Sequence, residues 1–194
     1  MKNIRSLCVY CGSSSRVDER YKDSASAMGA ALGERGITLV YGGGHVGLMG
    51  LCADACLSAG GQVVGIIPEH IQNLEVEHTG LTELHIVDSM HTRKMMMAER
   101  SDGFIVLPGG LGTLDETFEI VTWRQLQLHD KPIVILNVNG YWTPLLDMID
   151  HLIEQGFCRP DNRNLFSVVD TIDQVFEALA EAPEPVAPPQ TKWL

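Results

Sequence analysis

The sequence predicts an α/β fold: a doubly wound parallel sheet with helices on both faces. Short apolar runs alternate with helical segments through most of the 194 residues, which is the pattern of consecutive βαβ units. The apolar runs are nearly continuous, as is typical of parallel strands buried on both faces. The connections are short, and several are built from glycine and serine. No internal repeat and no second domain is evident.

Strands are expected where short apolar runs end at glycine, serine or proline. These runs lie at residues 4–10, 37–41, 63–67, 84–87, 104–107 and 133–137. Helical spacing of apolar residues predicts the helices, which lie at 18–35, up to about 59, at 90–100, from Thr113 to about 128, at 142–155 and at 171–181. Residues 68–82 are irregular and polar, which predicts a surface loop.

Composition limits the classes of function. Residues 1–181 are expected to form one domain, and 182–194 a proline-rich tail outside its core. The formal net charge of −11 argues against nucleic acid as a partner, because affinity for nucleic acid comes mainly from Lys and Arg. We expect no signal peptide and no membrane span, and therefore a cytoplasmic protein without a membrane partner.

Cys8 and Cys11 have the C-x-x-C spacing of redox motifs and zinc sites. Cys8 lies inside an expected strand, and neither a second cysteine pair nor a histidine pair completes a zinc site. Two reduced thiols of a cytosolic protein are favoured over a redox or metal role. His45, His91 and His129 are scattered, so we expect no metal site, no metal requirement and no redox cofactor.

Residues 104–116 contain the strongest local signal: an apolar run, then Pro108, then a glycine-rich turn that leads into a helix. Free N–H groups and the helix dipole make such a helix N-terminus a binding site for phosphate. Thr113 is expected to cap the helix. Glu116 then has two interpretations, because Thr113 and Glu116 fit the capping box S/T-x-x-E as well as a chemical role beside an anion.

Two further turns follow strands, at residues 11–15 and 42–47, so all three turns are expected at the same edge of a Rossmann-like sheet. Ligands of such sheets bind at that edge, where the strand order switches. Gly42-x-Gly44-x-x-Gly47 also matches the dinucleotide fingerprint. It follows the second strand instead of the first, so close packing of helix on sheet is the favoured explanation.

Arg93 and Lys94 lie early in the helix at 90–100, where basic residues oppose the helix dipole. A solvated helix face is the ordinary explanation for such a pair. The early position favours a contact with an anionic ligand as the alternative.

Residues 108–116 and 90–94 together resemble the LOG ("Lonely guy") family of cytokinin riboside 5′-monophosphate phosphoribohydrolases. The family pattern PGGxGTxxE is matched at every fixed position. Residues 9–14, 41–44, 47–50 and 130–132 are also similar to the family. The resemblance covers about residues 5–180, and the joint pattern is specific.

The resemblance implies hydrolysis of the N-glycosidic bond of a nucleoside 5′-monophosphate, which releases an adenine-type base and ribose 5-phosphate. It implies that Arg93 and Glu116 are the catalytic pair and that the enzyme is a homodimer or larger, with sites near the interface. The implied substrate contacts are Glu75, Arg93, Lys94, Gly109, Gly110, Leu111, Gly112, Thr113, Leu114, Asp115, Glu116 and Thr122. Secondary candidates are Gly12, Ser13, Gly43, Gly44 and Met90.

Two other classes of function are considered. One is a nucleotide-binding module without turnover, like the related molybdenum-cofactor carrier proteins. The other is a dinucleotide-dependent oxidoreductase. Plain AMP and its N6-prenylated form are not distinguished by the sequence, and neither are the individual roles of Arg93 and Glu116.

Overall fold

The computed structural model describes residues 4–71, 78 and 80–181, and within them it contains one seven-stranded parallel sheet. The strands are β1 (Ser6–Tyr10), β2 (Thr38–Tyr41), β3 (Val63–Pro68), β4 (Glu83–Val87), β5 (Gly103–Val106), β6 (Ile133–Leu136) and β7 (Ser167–Val169). The helices are α1 (Glu19–Glu34), α2 (Gly47–Ser58), α3 (Met90–Glu99), α4 (Leu111–Gln125), α5 (Thr143–Glu154) and α6 (Ile172–Ala180). The predicted fold class is confirmed.

The sheet order is β4-β3-β2-β1-β5-β6-β7. The chain therefore builds one half outward from β1 and then crosses to the other side of β1 to build the second half. β1 and β5 are neighbours, with Tyr10 opposite Val106 at their carboxyl ends. The switch in strand order lies between these two strands, where sheets of this class bind their ligands.

Two apolar cores cover the two faces of the sheet, and successive residues of β1 alternate between them. Leu7 and Val9 belong to the core that α1, α2 and α6 cover. Cys8 and Tyr10 belong to the core that α3, α4 and α5 cover. The helices therefore lie on both faces, as a doubly wound sheet requires.

Two elements differ from the sequence expectation. β7 was not expected: it has only three half-buried residues at the edge of the sheet, too few for a clear pattern. α4 ends at Gln125 and not near residue 128, because Gln127 takes a left-handed conformation with φ of 58°. Residues 72–77 and 79 of the expected loop at 68–82, and the whole tail 182–194, lie outside the described residues. Among the described helices, none has the length and apolar character to cross a membrane.

Candidate active site

Three turns meet at the carboxyl edge of β1, β2 and β5, as the sequence predicts. They are held together by backbone hydrogen bonds. The Gly12 N–H donates to the Pro108 carbonyl at 3.0 Å, and the Leu48 N–H donates to the Gly12 carbonyl at 3.0 Å. The turn after β1 is thus fixed to both the turn after β5 and the start of α2.

A cleft opens between these turns and α3. Its lining residues are Cys11, Gly12, Ser13, Met49, Arg93, Gly110, Leu111, Gly112, Thr113 and Glu116. The cleft therefore contains the N-terminal turn of α4 and both members of the pair that the family resemblance implies to be catalytic.

α4 begins at Leu111 with Gly110 as its N-cap, and no side chain caps it among the residues that the structure describes. The expectation that Thr113 is the cap is therefore wrong. Gly109 and Gly110 let the helix start three residues earlier, with the N-cap at Gly110 instead of Thr113, and Thr113 becomes a buried residue of the first turn. A Cβ at Gly109 would lie 2.1 Å from the Thr113 Oγ1, so this start requires glycine there.

The same geometry excludes the capping box between Thr113 and Glu116, because the box requires Thr113 at the N-cap, where the structure has Gly110. The first intrahelical hydrogen bond of α4 runs from the Leu114 N–H to the Gly110 carbonyl at 3.0 Å. The N–H groups of residues 111–113 lie before that bond and face the cleft end of the helix. The first turn of α4 can therefore donate several N–H groups to an anion.

Gly110 and Gly112 leave this N-terminus open. A Cβ at either position would meet no atom within 4 Å, and neither glycine has a positive φ. Protein packing therefore does not require glycine at these two positions. Their small size keeps space free beside the helix N-terminus.

Arg93 and Glu116 approach each other across the cleft. The Arg93 Nη2 lies 3.9 Å from the Glu116 Oε1, and their side chains are only 5% and 11% exposed. The same Nη2 donates to the Gly42 carbonyl at 3.3 Å. A Cβ at Gly42 would lie 1.9 Å from this Nη2, so glycine lets the guanidinium rest against the turn after β2. The two opposite charges therefore face each other inside the cleft.

Lys94 points to the other side of α3 and does not line the cleft described above. Its Nζ lies 3.1 Å from Asp115 and 3.2 Å from Glu119. Burial opposes the charged ammonium, but hydrogen bonds to these two carboxylates outweigh it and raise the pKa of Lys94. This arrangement is an ion-pair network between α3 and α4.

Only some of the remaining sequence-predicted residues line the cleft. Leu114 and Asp115 lie on α4 outside the cleft lining, and Thr122 lines a separate groove between α4 and α5. Gly12 and Ser13 line the cleft, whereas Gly43, Gly44 and Met90 do not. The Met90 Sδ accepts from the Arg93 Nη1 at 3.8 Å. Glu75 lies outside the described residues.

The two thiols of the C-x-x-C pair are free and buried. Burial is the main cause that raises the pKa of both Cys8 and Cys11, and the nearby charge of Glu116 adds to it. Thiols held in the protonated form are poor nucleophiles and poor metal ligands. The two thiols are not joined in a disulfide, and the reduced pair without a redox or metal role stays a prediction.

Sequence reasoning missed an apolar cleft that adjoins the first one at Gly12, Ser13 and Gly110. Tyr141 closes it, with its hydroxyl donating to the Gly109 carbonyl at 2.7 Å and its ring against Tyr21 at 5.3 Å. Tyr141 follows β6, so its place at the carboxyl end of a strand was the available signal. The structure also brings together His45, Asp54 and His78, three residues that could hold a metal ion.

Comparison with known proteins identifies the family. The model of a family described as "Possible lysine decarboxylase" matches residues 49–179. The cytokinin riboside 5′-monophosphate phosphoribohydrolase of Rhodococcoides fascians is 47% identical over 176 residues, which cover 90% of this chain and 89% of that protein. The phosphoribohydrolase LOG3 of Arabidopsis thaliana is 45% identical over 178 residues, covering 92% of this chain and 83% of that protein.

The fold is shared more widely. The molybdenum cofactor binding protein of Rippkaea orientalis superposes with a TM-score of 0.70 at 19% identity, covering 93% of this chain and 98% of that one. At that identity the likeness concerns the fold alone. The relatives at 45–47% identity match nearly the whole chain, and the PGGxGTxxE pattern forms the cleft, so this chain belongs to the LOG family of cytokinin riboside 5′-monophosphate phosphoribohydrolases.

Proposed function

We propose that this protein hydrolyses the N-glycosidic bond of adenosine 5′-monophosphate, plain or N6-modified, to free base and ribose 5-phosphate. One observation carries the proposal: the open N-terminus of α4 and the Arg93–Glu116 pair line the same cleft. The first feature suits a phosphate, and the second suits the positive charge that develops on a ribose ring as its glycosidic bond breaks. The names of the relatives agree with this reaction.

The 5′-phosphate binds at the first turn of α4. The N–H groups of Leu111, Gly112 and Thr113 donate to its oxygens, and the space beside Gly110 and Gly112 admits them. This contact lies away from the reacting carbon, so its binding energy can orient the sugar.

Glu116 acts on the ribose. In the reaction the C1′–N9 bond breaks with its electron pair going to the base, a water oxygen bonds to C1′, and the proton released from that water ends on the base. The ionised carboxylate stabilises the cationic sugar and orients the attacking water. The water-poor surroundings of Glu116 strengthen this electrostatic interaction.

Arg93 holds Glu116 in its ionised form and does not need to contact the phosphate. Its contact with the Gly42 carbonyl fixes the guanidinium against the turn after β2. No metal or redox cofactor takes part in the proposed reaction.

The active form is proposed to be a homodimer in a reducing, cytoplasmic compartment. Large apolar side chains are exposed around α4, among them Phe118 at 37% and Leu128 at 68%. Thr122, an implied substrate contact, lies six residues and so about 9 Å along the helix from Glu116. It lines a groove separate from the cleft of its own chain, which favours a contact with substrate bound in a second copy. Light scattering after gel filtration tests this, and a wild-type protein that elutes as a monomer contradicts it.

The activity is tested by measuring kcat/KM for AMP, adenosine, isopentenyladenosine and isopentenyladenosine monophosphate, with the free base detected by chromatography. Charge-assisted hydrogen bonds contribute about 1.5–3 kcal/mol each. Two of them therefore favour a nucleotide over its nucleoside by about a hundredfold or more, at about 1.4 kcal/mol per tenfold.

Equal cleavage of adenosine and AMP would contradict the phosphate site. AMP that binds without releasing base would identify a binding module like the molybdenum-cofactor carriers. The prenyl group should change kcat/KM less than the phosphate does, because apolar contacts discriminate weakly.

A further inference from the structure

His45, Asp54 and His78 come from three separate parts of the chain and converge on one point. His45 lies in the turn after β2, Asp54 lies in α2, and His78 lies shortly before β4. The Asp54 carboxylate is held between the two rings: its Oδ1 lies 2.8 Å from the His78 Nε2, and its Oδ2 lies 3.3 Å from the His45 Nε2. One ligand atom from each residue lies within 4.8 Å of the others.

We propose that these three residues form a binding site for one divalent transition-metal ion of the zinc class. Two imidazole nitrogens and one carboxylate oxygen suit Zn²⁺, Co²⁺ or Ni²⁺, whereas Ca²⁺ and Mg²⁺ prefer oxygen ligands alone. Three protein ligands leave a fourth position for water.

The spacing of the ligand atoms needs only small adjustments. Zinc bonds to nitrogen and oxygen are about 2.0–2.2 Å long, so tetrahedral ligand atoms stand on the order of 3.4 Å apart. The two nitrogen–oxygen separations, 2.8 Å for His78 and 3.3 Å for His45, lie close to this value. His45 and Asp54 have side chains that are 49% and 51% exposed, so they can move and an ion can enter from solvent.

Backbone groups of two of the ligands contact neighbouring glycines. The His78 N–H donates to the Gly43 carbonyl at 3.1 Å, and the His78 side chain is only 7% exposed. The His45 carbonyl packs against Gly50, where a Cβ would lie 2.0 Å from its oxygen. Ligands carried by fixed backbone lose little freedom when they bind an ion.

Metal binding requires one change of tautomer. The His78 Nδ1 accepts from the Gly80 N–H at 3.1 Å, so its Nε2 carries the proton and donates to Asp54. When the Nε2 binds a metal, that proton moves to Nδ1 and the Gly80 N–H turns to water. Gly80 is exposed, so water can replace the lost hydrogen bond.

The role of this ion is structural. None of the three ligands lines the cleft that contains Glu116. The ion would join the turn after β2 to α2 and to the chain before β4. That turn also carries the Gly42 carbonyl that receives Arg93. The proposal is independent of the proposed reaction, since neither requires the other.

The test uses full-length protein without a polyhistidine tag, stripped with chelator and dialysed. Zn²⁺ is titrated by calorimetry, and Co²⁺ is titrated by the visible absorption that its bound form gains. The wild type should bind one ion per chain, and Zn²⁺ should raise its melting temperature. His45→Ala and Asp54→Asn should each weaken Zn²⁺ binding by about a hundredfold or more, since loss of a hydrogen-bond partner of a ligand alone costs about 10–100-fold.

His85→Ala is the matched control. His85 also pairs with a carboxylate, with its Nε2 3.0 Å from the Glu83 Oε2, but it belongs to no such three-residue group among the described residues. It should bind Zn²⁺ as the wild type does. Buried His78 is left unchanged because its removal risks the fold, while the half-exposed His45 and Asp54 do not. Absence of saturable Zn²⁺ binding, or wild-type affinity in both His45→Ala and Asp54→Asn, would overturn the proposal.

Discussion

The turn after β2 and the turn after β5 have similar sequences but use their glycines in opposite ways. In the first, Gly42 lies against the Arg93 guanidinium and Gly47 lies against the Ser13 backbone, so protein atoms fill the space that side chains would take. In the second, Gly109 is packed against Thr113, but the space beside Gly110 and Gly112 is empty. The first turn is a packing contact, and the second leaves space for a ligand at an uncapped helix.

This contrast explains why the fingerprint-like Gly42-x-Gly44-x-x-Gly47 is a poor guide to the ligand. A dinucleotide-binding turn needs glycine so that a pyrophosphate can approach the backbone. Here the approach at Gly42 is made by Arg93. Gly42 and Gly47 are packed against protein atoms, since a Cβ there would lie 1.9 Å from the Arg93 Nη2 and 2.3 Å from the Ser13 carbonyl carbon. Neither neighbour is a sheet residue, so the packing of helix on sheet stays a prediction.

The largest effect is expected from Glu116→Gln, which keeps the shape of the side chain and removes its charge. A positioned carboxylate contributes about 10²–10⁴-fold to rate, so kcat/KM for AMP should fall by about that factor. The melting temperature should change little, because Glu116 does not cap α4.

Glu119→Gln is the control for this variant. It changes the same residue type one turn further along α4, at a position that pairs with Lys94 and does not line the cleft. Near wild-type turnover in Glu116→Gln, with a lowered melting temperature, would make Glu116 a structural residue.

The next largest effect concerns the turn after β2, in which protein atoms fill the space beside the glycines. Gly47 has φ of 67°, and a Cβ there would lie 2.3 Å from the Ser13 carbonyl carbon. The left-handed conformation costs an L-residue about 1–2 kcal/mol, and overpacking costs about 1–3 kcal/mol. Gly47→Ala should therefore lower the free energy of unfolding by about 2–5 kcal/mol, measured by urea denaturation. A fully stable variant would mean that the turn after β2 tolerates side chains.

A side chain in the turn after β5 should weaken ligand binding and leave stability unchanged. In Gly112→Val the new side chain enters the space proposed for phosphate, so AMP affinity measured by calorimetry should fall by about a hundredfold, the value of two charge-assisted hydrogen bonds. Stability should not fall, because a Cβ at Gly112 meets nothing and valine is a better helix former than glycine. Unchanged AMP affinity would contradict the phosphate assignment.

The fold was predictable because its signals are local. The apolar strands and the glycine turns locate β1 to β6 and the ligand edge without knowledge of contacts. β7 was missed because Ser167–Val169 is short and half-buried. The start of α4 was placed wrongly because Thr113 is a good N-cap by residue type, and residue type does not show that the helix already begins after Gly110.

The site was predictable only in part, for the same reason. The motif indicates Arg93, Glu116 and the first turn of α4, and the structure gathers them in one cleft. The partners of Lys94 lie on another helix, which no spacing reveals. His45, Asp54 and His78 span 33 residues between the first and the last, so their convergence depends on the packing of α2 beside the sheet.

The smallest effect separates the two reasons for glycine at position 47 in the turn after β2: its left-handed backbone conformation and its close contact with Ser13. Gly60 has φ of 81°, like Gly47, but a Cβ there would meet no atom within 4 Å. Gly60→Ala therefore loses stability only through the left-handed conformation, which costs about 1–2 kcal/mol. A less flexible unfolded chain offsets about 0.4–1 kcal/mol of this loss. Urea denaturation should show a loss of about 1 kcal/mol, clearly less than in Gly47→Ala. If the two variants lose equal stability, backbone conformation alone explains why glycine is needed at position 47. The contact with Ser13 would then not distinguish the turn after β2 from the turn after β5.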